Sequence, residues 1–195
     1  MFRIRSFIAV TVTALFLGGC ASVQVQHELL QGEAPLYQPA RASLGVISVR
    51  PETRWRPDQK EPESRERIAR AAIEAVFRDL PASRVAEIRP FARWSATADL
   101  GLAEARQAGV DTVVTITVEE LGPQLYLSIP VLWSTYSDVR FQLRAVRAQT
   151  GETLLDIKHK RLVGGPFELR GVGPLQAEME LALREVLGLQ RARKD

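Results

Sequence analysis

The stretch 139–157 limits the possible folds more than any other. Val139, Phe141, Leu143 and Ala145 alternate with Arg140, Gln142 and Arg144, a period of two that gives a strand one apolar and one wet face. Gln149, Thr150, Gly151 and Glu152 supply turn residues, and Leu155 and Ile157 resume the alternation, so an antiparallel hairpin is predicted. Just upstream, Val114, Ile116 and Val118 alternate with Thr115, Thr117 and Glu119, which predicts another strand over 110–121.

Helix signals flank these strands. Ile68, Ala72, Val76 and Leu80 recur every four residues among arginines and glutamates, an amphipathic helix with Ser64 as its cap and Pro81 as its stop. Asp99 is the expected cap of a short helix through Ala108, with Gly109 in the left-handed position that follows a helix. Pro174 opens a third helix, Leu175, Met179, Leu183 and Val186 form its apolar face, and Gly188 ends it. Residues 44–49 read as a buried strand ended by Pro51, and 85–91 as a strand that Pro90 confines to an edge. The fold class is therefore α/β to α+β: a single mixed sheet with a carboxy-terminal antiparallel hairpin and about three helices packed on it. Residues 44–190 form one domain, and 191–195 a basic tail. A chain of 195 residues with one cysteine has no internal disulfide, so its stability must come from packing and backbone pairing.

The amino terminus points to a compartment. Arg3 and Arg5 precede an apolar run from Phe7 to Leu17, then small residues and a cysteine, the three parts of a secretory signal. The run is short for a bilayer span. Leu17-Gly18-Gly19-Cys20 resembles the lipobox of bacterial lipoproteins. That resemblance implies that residues 1–19 are removed and that Cys20 carries a diacylglycerol and an N-acyl chain, with no other cofactor. Ala21, rather than an aspartate, implies the outer membrane, facing the periplasm. Residues 20–43 are read as a tether with a root-mean-square span of about 25 Å; in a competing reading Val23, Val25 and Leu29 join the domain as a strand. The formal charge of +3 includes Arg3 and Arg5, and without them it is +1, which offers no basis for nucleic-acid binding.

The element order, with the phrase 102–114 (Leu-Ala-Glu-Ala-Arg-Gln-Ala-Gly-Val-Asp-Thr-Val-Val) and Thr150-Gly151-Glu152, is similar to the α/β domain of periplasmic lipoproteins. The grouping holds the TolB amino-terminal domain, CsgG and LpoB. The resemblance covers about 44–188 and rests on structural punctuation, so it implies a fold and carries no site residues. The chain lacks the long disordered arm of an activator that crosses a wall, and an amphipathic segment long enough for a secretion barrel.

No catalytic constellation is legible. His27 and His159 have no partner in sequence, and Glu119 and Glu120 point to opposite faces of a strand, so they cannot act as a pair. The glycine turns 164–166 and 171–173 lack the lysine and hydroxyl of a phosphate loop. No metal ligands are grouped. The segment 125–136 looks inserted between two strands, and its Leu125, Tyr126, Leu127, Ile129, Val131, Leu132, Trp133 and Tyr136 exceed what a solvated loop needs. It reads as a docking loop or as a further strand or lid. A second candidate is an anion patch of Arg50, Arg54, Arg56 and the adjacent Trp55. The expectation is a non-catalytic accessory or adaptor of an envelope complex, bound to the membrane by its lipid and to an envelope protein. The alternative is a carrier of an envelope lipid or small molecule in a cavity between the sheet and the last helix. The sequence leaves the oligomeric state open.

Overall fold

The computed structural model describes residues 22–32, 44–57, 59–80, 83–95, 100–128, 132–166 and 168–189. They form a single mixed sheet of seven strands with three helices packed on it. The strands are β1 (Ser22–Gly32), β2 (Val46–Thr53), β3 (Arg84–Ile88), β4 (Ala92–Arg93), β5 (Thr112–Ser128), β6 (Leu132–Arg147) and β7 (Thr153–Pro166). The helices are α1 (Pro62–Arg78), α2 (Leu102–Gln107) and α3 (Leu175–Val186). The order across the sheet is β1-β7-β6-β5-β2-β3, with β4 also on β2. β2 pairs parallel with β3, β4 and β5, and the remaining pairs are antiparallel.

The predicted alternation decides which face is dry. Val114, Ile116, Val118, Phe141, Leu143, Leu155 and Ile157 lie on one face and are buried under α1 and α3. From the helices come Ile73, Val76, Phe77, Met179 and Leu183, each at most 1% exposed. Truncating any of the large ones to alanine is expected to cost about 2–5 kcal/mol. Val46 and Val113, one residue out of phase, turn to the opposite face, where Ala105 and Leu102 of α2 cover them in a small separate cluster.

Four elements differ from the expectation. β2 runs through Pro51 to Thr53. The carbonyls of Val49 and Thr53 accept from the Arg89 and Trp94 amides at 2.9 Å, so the odd residues of β2 bond toward β3 and β4. Pro51 therefore turns its missing N–H to the break between those two short strands, where no ladder partner is lost. α1 starts at Pro62, two residues before Ser64, which makes no capping hydrogen bond. Proline lacks only an N–H that the first turn leaves unpaired anyway, and Glu61 at φ 51° makes the entry. α2 starts at Leu102 with Gly101 at φ 58° as its N-cap, so the expected Asp99 cap is replaced by a left-handed glycine; Asp99 itself and Pro81 lie outside the described residues.

The fourth difference concerns the tether. Residues 22–32 are a strand, paired antiparallel with β7 from Ser22↔Gly164 to Gly32↔Leu155. The strand reading of Val23, Val25 and Leu29 is the one that forms, and the described part of the fold starts at residue 22. Every side chain of β1 is exposed, so backbone pairing holds it rather than burial.

Two glycines separate backbone strain from steric conflict. Gly109 adopts φ 69°, as predicted, and a Cβ there would meet nothing within 4 Å. Gly164 adopts φ 153°, and a Cβ would lie 2.0 Å from the Thr135 carbonyl oxygen. Gly109→Ala is expected to cost about 1–2 kcal/mol from conformation alone. Gly164→Ala must also displace the β6–β7 ladder and should cost more, about 3 kcal/mol or above. Denaturant midpoints of the two variants check the order.

Candidate contact surface

β5 and β6 do not part at residue 125. Their pairing continues through Leu125↔Thr135 and Leu127↔Trp133 to Ser128↔Leu132. The segment read as an insertion is thus the outer half of one long hairpin. Cross-strand partners share a face, and counting outward by twos from the buried pair Leu121↔Val139 puts Leu125, Leu127 and Trp133 on the helix-covered face. The helices stop short of them. Leu125 is 60% exposed, Leu127 72% and Trp133 42%, whereas Leu121 and Val139 are fully buried. Tyr136, half-buried, sits at the base of this extension opposite Gln124 and Gly164. Ile129 and Val131 lie outside the described residues, and for Tyr126 and Leu132 only the backbone pairing is described.

A second segment converges on the same end. The Thr135 hydroxyl donates to the Glu168 carbonyl and accepts the Arg170 amide at 2.9 Å, which pins residues 168–170 to β6. Leu169 between them is 89% exposed. Leu169 had no signal in the sequence, because an apolar residue between two charged ones in a loop has no period.

The arginine patch does not assemble as a free anion site. Arg50 lies 3.7 Å from Glu104, Arg54 3.7 Å from Glu119 and over the Trp94 ring at 4.3 Å, and Arg56 2.5 Å from Glu120. Trp55 packs against the main core. Each guanidinium faces a carboxylate of its own chain, so the charge that the sequence displays is neutralised internally.

The acidic residues hold one surprise. A bulge between Val118 and Glu120 inserts Glu119 as an extra residue and places Glu120 opposite Arg140, two pairs from Asp138 on the same face. Glu120 and Asp138 are both buried. Arg140 grips Asp138 at 2.5 and 3.0 Å, and Arg56 covers Glu120. Burial chiefly raises the Glu120 pKa, opposed by Arg56 and reinforced by Asp138. The bulge overturns the regular alternation expected to put Glu119 and Glu120 on opposite faces; the two face different arginines, Arg54 and Arg56, and the carboxylate that acts on Glu120 is Asp138 of the next strand. With each carboxylate held by an arginine, the cluster is built as a salt-bridge network, and an acid–base role would require breaking it.

His159 is fully enclosed on β7, stacked on Phe141 at 5.1 Å between centroids. Its Nδ1 is 3.1 Å from His27 Nδ1 on β1, so one ring donates and the other accepts. Burial, with help from His27 and Arg161, lowers its pKa to about 3. Nearby, Arg161 bridges Glu178 and Glu185 of α3 at 2.9 and 2.7 Å, tying β7 to the helix. Below pH 6.5 the unfolded chain takes up a proton at residue 159 that the folded chain refuses until about pH 3. The stability that the neutral ring contributes is complete above pH 6.5 and declines by about 1.4 kcal/mol per pH unit below it. Denaturant unfolding at pH 7.5 and 5.0 should show His159→Asn losing about 2 kcal/mol less than the parent over that interval. Equal losses would show that another group sets the acid response.

Leu175, Met179, Ala182 and Leu183 of α3 are fully buried in the main core against the sheet, where the sequence placed the carrier cavity. A cavity of about 270 Å³ lies instead on the polar face, lined by Glu52, Trp94, Thr115, Thr117, Gln142 and Arg144 among others. Burial raises the Glu52 pKa, and Thr117 and Arg50 oppose it. Among the described residues no group of three or more histidine, cysteine or acidic side chains could hold a metal ion.

These features define an α+β domain with one filled core and one exposed apolar end. No protein family and no curated protein matches the sequence. Solved structures similar to it include the PelC dodecamer from Paraburkholderia phytofirmans, 13% identical, covering 85% of this chain and 98% of that one at a TM-score of 0.42. The lipoprotein GNA1162 from Neisseria meningitidis is 14% identical, with coverages of 75% and 99% and a TM-score of 0.41. The LpoB carboxy-terminal domain from Salmonella enterica is 11% identical, with coverages of 63% and 85% and a TM-score of 0.40. Superpositions this loose carry no inference about activity or partner.

Proposed function

We propose that this chain is a lipid-anchored accessory protein of the bacterial envelope that works by binding rather than by chemistry. Cys20 carries the diacylglycerol and N-acyl chain, the anchored membrane is the outer one on its periplasmic face, and the exposed end of the β5–β6 hairpin is the contact surface. One observation carries the reading: a regular hairpin runs past the helices that cover the rest of its apolar face and leaves Leu125, Leu127 and Trp133 exposed. Exposed apolar area grouped on one rigid element marks a contact site. The non-catalytic part is supported by His159 being closed in by Phe141 and His27, and by Glu120 and Asp138 being held by arginines.

The test is photo-crosslinking in the native cell from probes at Leu127 and Trp133, with Arg144 on the polar face as control. Adducts to an envelope component that are specific to the hairpin probes are expected. Adducts only within the chain would show that the hairpin end is covered by its own protein and would end the reading. A second reading, a binder of an envelope small molecule, attaches to the polar cavity at Glu52, Thr117, Gln142 and Arg144. It predicts a co-purifying ligand that Thr117→Val releases.

A further inference from the structure

We propose that the occupant of the hairpin end is the lipid bilayer itself, entered by Leu125, Leu127, Trp133 and Leu169 as a second, non-covalent membrane contact beside the lipid on Cys20. This rests on the anchored reading and names the partner of the same surface.

The argument is one of register and chain length. β1 begins at Ser22, which pairs with Gly164, which pairs with Tyr136, which pairs with Gln124. The end of the sheet where the chain arrives from Cys20 is therefore the end from which the hairpin projects. Two residue steps separate Cys20 from Ser22, at most about 7 Å. From Gln124↔Tyr136 the hairpin continues four pairs to Ser128↔Leu132, about 14 Å at strand rise. With the strands standing upright on the membrane, the hairpin outreaches the anchor by at least about 7 Å, roughly the depth of the headgroup layer on one side of a bilayer.

The side chains along that projection suit such a medium. Leu127 and Trp133 are direct cross-strand partners, and Leu125 lies on the same face one step nearer the base. Val23, 54% exposed at the start of β1, faces the same way, because it pairs with buried Val163. Leu169 is held at this end by Thr135. Trp133, level with Leu127, and Tyr136, at the base of the projection, are the residue types that settle at headgroup level. A partner protein seated on this face would have to occupy the interval into which the anchor draws the domain.

The chemistry of Cys20 makes a clean test possible. In the full-length lipidated protein the only native thiol is consumed, so Leu127→Cys or Arg144→Cys creates a single labelling site. Each variant is purified in detergent, labelled with a thiol-reactive nitroxide and reconstituted into phosphatidylethanolamine–phosphatidylglycerol vesicles. Collision rates with oxygen and with a water-soluble nickel chelate are then measured. At residue 127 oxygen collisions should exceed those with nickel, and at residue 144 the order should invert. One label per chain with residue 127 as open to nickel as residue 144 would overturn the bilayer contact and leave the anchor standing. A residue 127 label shielded from both agents, with spin–spin broadening, would put a second copy there and overturn the proposal as well. Two labels per chain would show a free Cys20, which overturns the anchored reading and this inference with it.

Discussion

The antiparallel ladder between β5 and β6, unbroken but for one bulge from Thr112↔Arg147 to Ser128↔Leu132, sets what every other element can do. Its inner half presents Val114, Ile116, Val118, Phe141 and Leu143 to α1 and α3, and that burial is the main source of stability. Its outer half has the same backbone pairing and the same facing of side chains, but none of the described helices reaches it. One strand pair thus makes a core at one end and a contact surface at the other. The boundary falls between Leu121, fully buried, and Leu125, 60% exposed.

The bulge at Glu119 belongs to this division. Without the bulge, Glu120 would take the phase of Val118 and push a carboxylate into the dry face, and Leu121 would turn to the wet one. With it, Leu121 closes the core and Glu120 joins Asp138, Arg140 and Arg56 on the polar side. A buried network of this kind adds little net stability over apolar packing, but a register slip would strand its charges. Its effect is to fix which residues of β5 and β6 pair, and therefore how far the hairpin projects.

What was legible in the sequence follows from the same physics. The β6–β7 hairpin, α3 and the turn at Gly109 announce themselves because burial on one side imposes a period, and a left-handed residue demands glycine. β1 lacks that imprint. Exposed on every side chain, it is held by hydrogen bonds that any sequence can make, and Gln24, Gln26 and Glu28 look the same in a tether as on a wet edge. The outer hairpin shows the opposite ambiguity, because apolar residues between two strands fit a loop that folds back as well as strands that simply continue. The arginines at 50, 54 and 56 are visible, but the carboxylates that neutralise them come from α2 and β5, at separations a linear reading cannot join.

The strand in place of a tether changes the mechanics of the proposed anchoring. A flexible linker over 20–43 would let the domain sample positions about 25 Å from the membrane and present any face to it. A link of two residues into a strand laddered on β7 removes that freedom: position is fixed to within a few ångströms, and the end of the sheet nearest the bilayer is fixed with it. Little translational freedom is then left to lose when a surface at that end makes contact, so a small apolar area suffices where a free domain would need a large one. The exposed area of Leu125, Leu127, Trp133 and Leu169 is small by the standards of a protein interface. It matches what a domain already held at the surface requires.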